Sequence, residues 1–172
     1  LIAGSSGLIG TQLVAFLDTG DHEVWRLVRR ESDPNKNEIT WNPSKGEIDS
    51  KELEGFDVVI HLGGVGIGDK RWSKKRKAAI RDSRVNSSQL LSKTLANLDN
   101  KPDLFMLASA IGFYGNRGDE ELDESSSRGK QGYFLTDVCS EWENSADPAK
   151  EVGIRTISLR TGIVISAVGG AL

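Results

Sequence analysis

The chain has 172 residues, enough for one domain with a sizeable core, and its net charge of −3 with 27% charged residues implies neither disorder nor a general affinity for polyanions. A single cysteine, Cys139, excludes an internal disulfide and suits a reducing compartment. No apolar run approaches the ~20 residues of a membrane span and no signal peptide is visible, so a soluble, cytoplasmic protein is expected. Opening on Leu1 and closing on Gly169-Gly170-Ala171-Leu172, the chain is expected to be an internal piece of a longer protein.

Leu1-Ile2-Ala3 feeds into glycines at positions 4, 7 and 10, and Leu8, Ile9, Leu13, Phe16 and Leu17 follow at helical spacing. Strand, tight turn and helix in that order form the context a dinucleotide fingerprint requires. Gly4 permits backbone angles closed to residues with a Cβ. Gly7 lets the main chain approach a pyrophosphate, and Gly10 lets the helix lie close on the strand. The helix-opening N–H groups would then face the phosphates, aided by the dipole. The alternative is a glycine-rich turn with no ligand, which the flanking elements make the weaker reading.

The first helix is expected to end near Gly20 in a left-handed cap. His22 to Arg29 alternates polar and apolar and reads as a second strand. NAD sites place a carboxylate about 20 residues past the glycines for the ribose 2′-OH, whereas arginine accommodates a 2′-phosphate. Here the strand ends in Arg29-Arg30, two guanidiniums suited to phosphate, and then Glu31. NADP(H) is therefore preferred over NAD(H), with a solvated charge pair as the alternative. Ser32–Asn37 reads as loop, Ile39-Thr40-Trp41 as a short strand and Asn42–Gly46 as a turn.

Phe56–Leu62 is a buried-type strand followed by Gly63-Gly64, where a cofactor would cross the sheet edge. His61, inside that apolar strand, reads as a hydrogen-bonded structural histidine rather than an acid or base. Residues 65–72 form a loop, and Ser73 caps a long helix reaching Leu98, with Ile80, Leu91 and Leu95 on its apolar positions. Its first half is basic (Lys70, Arg71, Lys74, Lys75, Arg76, Lys77, Arg81, Arg84). Without interleaved aromatics beyond Trp72, a solvated face is preferred over a nucleic-acid site.

Leu104–Ser109 is the next strand, and Gly112–Gly118 a loop at the ligand-binding edge. The acidic cluster Asp119–Glu124 lacks metal-site spacing and reads as exposed loop, so no metal is expected. Ser125–Gly132 reads as linker. Tyr133–Glu143 reads as a helix with Phe134, Val138 and Trp142 in the core, and Ile154–Leu159 as a last strand. Strands alternating with helices give an α/β, doubly wound parallel sheet of Rossmann type. Cys139 reads as a buried helix residue, since no histidine is placed to activate it.

These residues resemble the extended branch of the short-chain dehydrogenase/reductase superfamily, and within it the atypical "epimerase family" of proteins described as nucleoside-diphosphate-sugar epimerases or cell-division inhibitors. The carriers are Gly-Ser-Ser-Gly-Leu-Ile-Gly at 4–10, His-Leu-Gly-Gly at 61–64, Asp-Lys-Arg-Trp at 69–72 and Asp-Ser-Arg-Val at 82–85. Ala-Ser-Ala-Ile-Gly-Phe-Tyr-Gly at 108–115, Phe-Leu-Thr-Asp-Val-Cys at 134–139, Trp-Glu at 142–143 and Leu-Arg-Thr-Gly at 159–162 complete them. The resemblance implies NADP on Gly4, Ser6, Gly7, Leu8, Ile9 and Gly10 and on Arg29, with Leu62, Gly63 and Gly64 beside the adenosine half; Arg30 is a cofactor candidate from its own place after the strand. It also implies a C-terminal substrate domain missing from this chain, and a small-molecule substrate, nucleotide-linked compounds included. The oligomeric state is left open.

Enzymes of this superfamily use a Tyr-x-x-x-Lys pair, a serine and a supporting asparagine. Counting without gaps from Tyr114-Gly115, the serine position falls on Ala110, with Ser109 one place early. The tyrosine and lysine positions fall on Leu135 and Cys139, Glu143 takes a glutamate position, and the asparagine position falls on Arg84. A register using Tyr133 puts Asp137 at the lysine. Without an adjacent cation, a tyrosine near its unperturbed pKa of ~10 is a poor base at neutral pH. Ser109, Tyr114 and Tyr133 are thus the available catalytic hydroxyls, with Arg84 as an electrophile near the nicotinamide. Two readings follow: an NADP(H)-dependent oxidoreductase or epimerase, or a cofactor-binding regulatory module without turnover.

Overall fold

The computed structural model describes residues 1–33 and 35–170. Its main sheet has strands β1 (Ile2–Ala3), β2 (Arg26–Val28), β3 (Glu38–Asn42), β4 (Glu47–Ile48), β5 (Val58–His61), β6 (Leu104–Ala110) and β7 (Arg155–Thr161). Their order is β4-β3-β2-β1-β5-β6-β7, and every neighbour pair is parallel except the β3–β4 hairpin at one edge. A separate antiparallel pair joins β8 (Ile165–Ser166) to β9 (Gly169–Gly170). The doubly wound parallel expectation holds.

The strand order reverses between β1 and β5. Right-handed crossovers on either side of that point place α1 (Leu8–Leu17) on one face and α2 (Lys74–Ala96) on the other. Helices α3 (Phe134–Asn144) and α4 (Asp147–Glu151) pack against α2. Between them and the sheet lies the core, built on Leu91, Leu95 and Leu98 against Val59, Phe105 and Leu107, with Trp142, Ala146 and Ala149 closing it.

Helix α2 begins where expected: the Ser73 hydroxyl accepts from the Arg76 N–H at 3.2 Å. Its buried face carries serines, and each satisfies a buried donor from a neighbouring element. Ser88 accepts from Trp142 Nε1 at 3.0 Å, and Ser92 accepts from the Ala149 N–H at 3.0 Å. Small side chains bring the helices close, and their hydroxyls remove the polar cost of doing so.

Several expectations are corrected. Helix α1 stops at Leu17, not near Gly20, and Gly20 has no left-handed conformation; its N–H instead bonds Leu17 O at 3.0 Å. Strand β2 covers only Arg26–Val28 of the anticipated 22–29 stretch. Val138 and Trp142 are core residues, but Phe134 is half-buried outside the core, edge-on to Trp72 at 5.3 Å with Lys77 over its ring. The expected linker at 125–132 is partly packed: Gly129 is buried with its N–H on Phe113 O, and Arg128 bonds Ser140.

Candidate functional site

The turn after β1 is built by side-chain removal. Gly4 has φ +83°, and a Cβ there would lie 2.7 Å from Gly63 N. A Cβ on Gly10 would lie 2.3 Å from Gly4 O. These two glycines let the turn, α1 and the loop after β5 nest together. Gly7, the N-cap of α1, offers no side-chain cap, and the first regular helix bond runs from Thr11 N to Gly7 O. The N–H groups of Leu8, Ile9 and Gly10 are therefore left for an external acceptor, with the positive end of the dipole behind them.

That end opens on a cleft of ≈ 970 Å³ at the carboxyl edge of the sheet, where the strand order reverses and ligands of open α/β sheets bind. Four loops converge on it: Gly4–Gly7 after β1, Arg29-Arg30 after β2, Asn42–Ser44 after β3 and Leu62–Gly64 after β5. Of the anticipated cofactor residues, Gly4, Ser6, Gly7, Arg29, Arg30, Leu62, Gly63 and Gly64 line the cleft. Leu8, Ile9 and Gly10 contribute through the backbone that opens α1.

His61 forms the floor. It is 1% exposed, and burial pushes its pKa down to about 4. Ser87 spends its hydroxyl hydrogen on Ser83 O at 2.6 Å, so its oxygen accepts from His61 Nε2 at 2.8 Å. His61 Nδ1 then accepts the Gly63 N–H at 3.2 Å. The imidazole is a neutral brace between α2 and the glycine loop, as expected of a structural histidine.

At the far end the two arginines separate. Arg30 is clamped bidentate by the Glu38 carboxylate at 2.7 and 2.8 Å, while Arg29 makes no ion pair among the described residues. The Arg30 guanidinium and the Asp33 N–H hold the Glu38 carboxyl down at about 2. Of the two guanidiniums expected at a 2′-phosphate, Arg30 is engaged and Arg29 is open. Arg84 is half-buried behind Gly64, where a glycine Cβ would lie 3.2 Å from its Cζ. Its Nη1 donates to Val65 O at 3.0 Å and Ile80 O at 2.9 Å, and its Cζ lies 5.1 Å over the Trp142 ring.

Beyond β5, two of the three catalytic candidates are wired together. The Ser109 hydroxyl donates to Glu143 at 2.6 Å, and Arg160 grips the same carboxylate through Nε and Nη2, both at 2.9 Å. Arg160 Nη1 donates to the Tyr114 hydroxyl at 2.9 Å, and that hydroxyl donates to Asp123 O at 2.9 Å. Glu143 raises the already high pKa of Arg160, so its charge is permanent. Tyr133 stands apart at the N-cap of α3, 62% exposed, with no hydrogen bond from its hydroxyl among the described residues. Leu135 and Cys139 face Gly112, and burial pushes the Cys139 thiol up to about 11. No histidine activates it.

Sequence reasoning missed Ser87, Glu38, the place of the Asn42–Ser44 turn at the cleft and the role of Arg160. The Arg160-Thr161-Gly162 triplet after a strand was a visible signal for the last; nothing local marks the others. The basic stretch at 70–84 is partly spent internally. Arg76 bonds Gly66 O and Asp69, Arg81 pairs with Asp82 and Glu141, and Lys77 covers Phe134. Among the described residues no group of three or more His, Cys, Asp or Glu side chains could hold a metal, and no helix is long and apolar enough to cross a membrane.

A glycine cradle at the strand-order reversal, an uncapped helix N-terminus and a cation at the end of β2 together define a Rossmann-type dinucleotide-binding fold. The model of the NAD dependent epimerase/dehydratase family matches residues 1–169, and the chain belongs to that family. It is 44% identical over 171 residues to the epimerase family protein Mb2239 of Mycobacterium bovis, covering 99% of this chain and 55% of that protein. The chain thus spans about half the length of the curated relatives it matches. The structure of the nucleoside-diphosphate sugar epimerase from Corynebacterium glutamicum superposes with a TM-score of 0.84 at 41% identity, over 99% of this chain and 35% of that one. The human epimerase family protein SDR39U1 (isoform 2), solved with NADPH, gives a TM-score of 0.81 at 26% identity, over 99% and 55%.

Proposed function

We propose that this chain is the NADP(H)-binding domain of a cytoplasmic oxidoreductase or nucleotide-sugar epimerase whose substrate domain lies outside it. The observation that carries the reading is the set of unfilled N–H groups at the start of α1, opening onto the cleft where the Gly4 turn nests against Gly63. The diphosphate of a dinucleotide fits that set, and Arg29 is the open cation for a 2′-phosphate; Arg84, held behind Gly64 by Val65 O and Ile80 O, is the residue we assign beside the nicotinamide half. The NADPH of the human relative and the nucleotide-sugar designation of the corynebacterial one support the same reading.

A bound nicotinamide would supply or accept hydride. The protein's own part is to hold a substrate oxygen and move a proton. Ser109 and Tyr114, linked through Glu143 and Arg160, are the proposed hydroxyls, and Arg160 provides a permanent positive charge 2.9 Å from the phenol oxygen. Tyr133 lacks such support. The second reading, a cofactor-binding regulatory module, is motivated by the gap-free count that puts Leu135 and Cys139 at the tyrosine and lysine positions.

The experiment is to mix full-length protein with NADPH and candidate carbonyl or sugar-nucleotide substrates. Turnover that falls at least ~100-fold in Ser109→Ala or Tyr114→Phe, with cofactor binding retained, supports the enzyme reading. Saturable NADPH binding without turnover on any substrate supports the regulatory one.

A further inference from the structure

We propose that Glu38 sets the cofactor preference of the cleft by neutralising Arg30, leaving recognition of the ribose 2′-phosphate to Arg29 alone. This inference rests on the NADP(H) reading above.

Arg30 and Glu38 both line the cleft at its β2–β3 end. Glu38 opens β3, and the chain after β2 folds back across that strand: Thr40 donates its hydroxyl to Arg30 O at 3.1 Å and accepts the Ser32 N–H at 2.9 Å. The fold-back lays the Arg30 guanidinium flat against the Glu38 carboxylate. The Glu38 side chain is 2% exposed, whereas that of Arg30 is 59% exposed. One of the two partners is therefore sealed in the wall and the other faces the ligand.

This asymmetry decides what an arriving phosphate meets. Pulling Arg30 away would strand a buried carboxylate with only the Asp33 N–H at 3.0 Å, and an uncompensated buried charge costs more than one exposed phosphate contact returns. Arg30 therefore stays on Glu38, and its remaining N–H groups belong to a pair with no net charge. Arg29, one residue earlier, lines the same cleft and makes no ion pair among the described residues.

The test is a double-mutant cycle on full-length protein, titrating wild type, Arg30→Ala, Glu38→Gln and the double variant with NADPH and with NADH. Gln keeps the shape and one acceptor oxygen for Arg30 while removing the charge. The expected result is that Glu38→Gln tightens NADPH at least threefold and leaves NADH within twofold. Within the Glu38→Gln background, Arg30→Ala should cost NADPH at least tenfold, because the freed guanidinium then takes part in binding. Weaker NADPH binding by a folded Glu38→Gln variant, or an Arg30→Ala cost below tenfold in the Glu38→Gln background, would overturn the inference. Should the Glu38 variants fail to fold, Arg29→Ala in wild type decides, since an NADPH loss below tenfold contradicts recognition by Arg29 alone. Wild type binding neither nucleotide would instead defeat the cofactor reading beneath it.

Discussion

His61 makes the fold acid-sensitive in a defined window. In the unfolded chain an imidazole takes up a proton near its ordinary pKa of 6.5, whereas burial holds the folded-state value at about 4. Between those limits the unfolded chain binds more protons, so stability rises with pH and is lost as pH falls from 6.5. A gap of about 2.5 units at 1.36 kcal/mol per unit corresponds to roughly 3 kcal/mol across the window, of which about 2 is gone by pH 5. The cause is geometric as well as dielectric: a protonated Nδ1 would confront the Gly63 N–H it now accepts from. Urea denaturation at pH 7.5 and 5.0, on wild type and on His61→Gln, measures this. Wild type should lose about 2 kcal/mol more than the variant, because ordinary carboxylates titrate below the window and the buried Leu1 amine, lowered to about 6, contributes equally to both. Parallel losses in both proteins would refute the argument.

Gly10→Ala forces a Cβ to within 2.3 Å of Gly4 O, so α1 must move off the strand. A loss of about 1–3 kcal/mol in denaturant titration is expected, together with weakened dinucleotide binding; an unchanged midpoint would contradict the close approach. Glu143→Ala strands Arg160 and Ser109, both of which donate to that carboxylate. Half-burial moderates the effect to about 2–4 kcal/mol, and a loss below about 0.5 would show the network to be ornamental.

The elements that local chemistry dictates were legible. The Ser73 cap and the apolar positions Ile80, Leu91 and Leu95 placed α2 to within two residues of its observed end at Ala96. The glycines at 4, 7 and 10 likewise announced the turn. What was hidden depends on distant partners. Phe134 shares the i, i+4 spacing of Val138 and Trp142, yet lies outside the core because Trp72, from the loop before α2, meets it there. Arg29 and Arg30 look alike in sequence; only the fold-back over Thr40 assigns one to Glu38. Ser109, Tyr114, Glu143 and Arg160 become one network only when β6, β7 and α3 come together.

Titration of full-length protein with NADPH and with NADH, repeated on Arg29→Ala, tests the central claim most directly. The account predicts saturable uptake of both, tighter for NADPH, with the variant losing at least ~10-fold for NADPH and little for NADH, as removal of one charge-assisted phosphate contact implies. Binding of neither nucleotide, or equal loss of both in the variant, would contradict it.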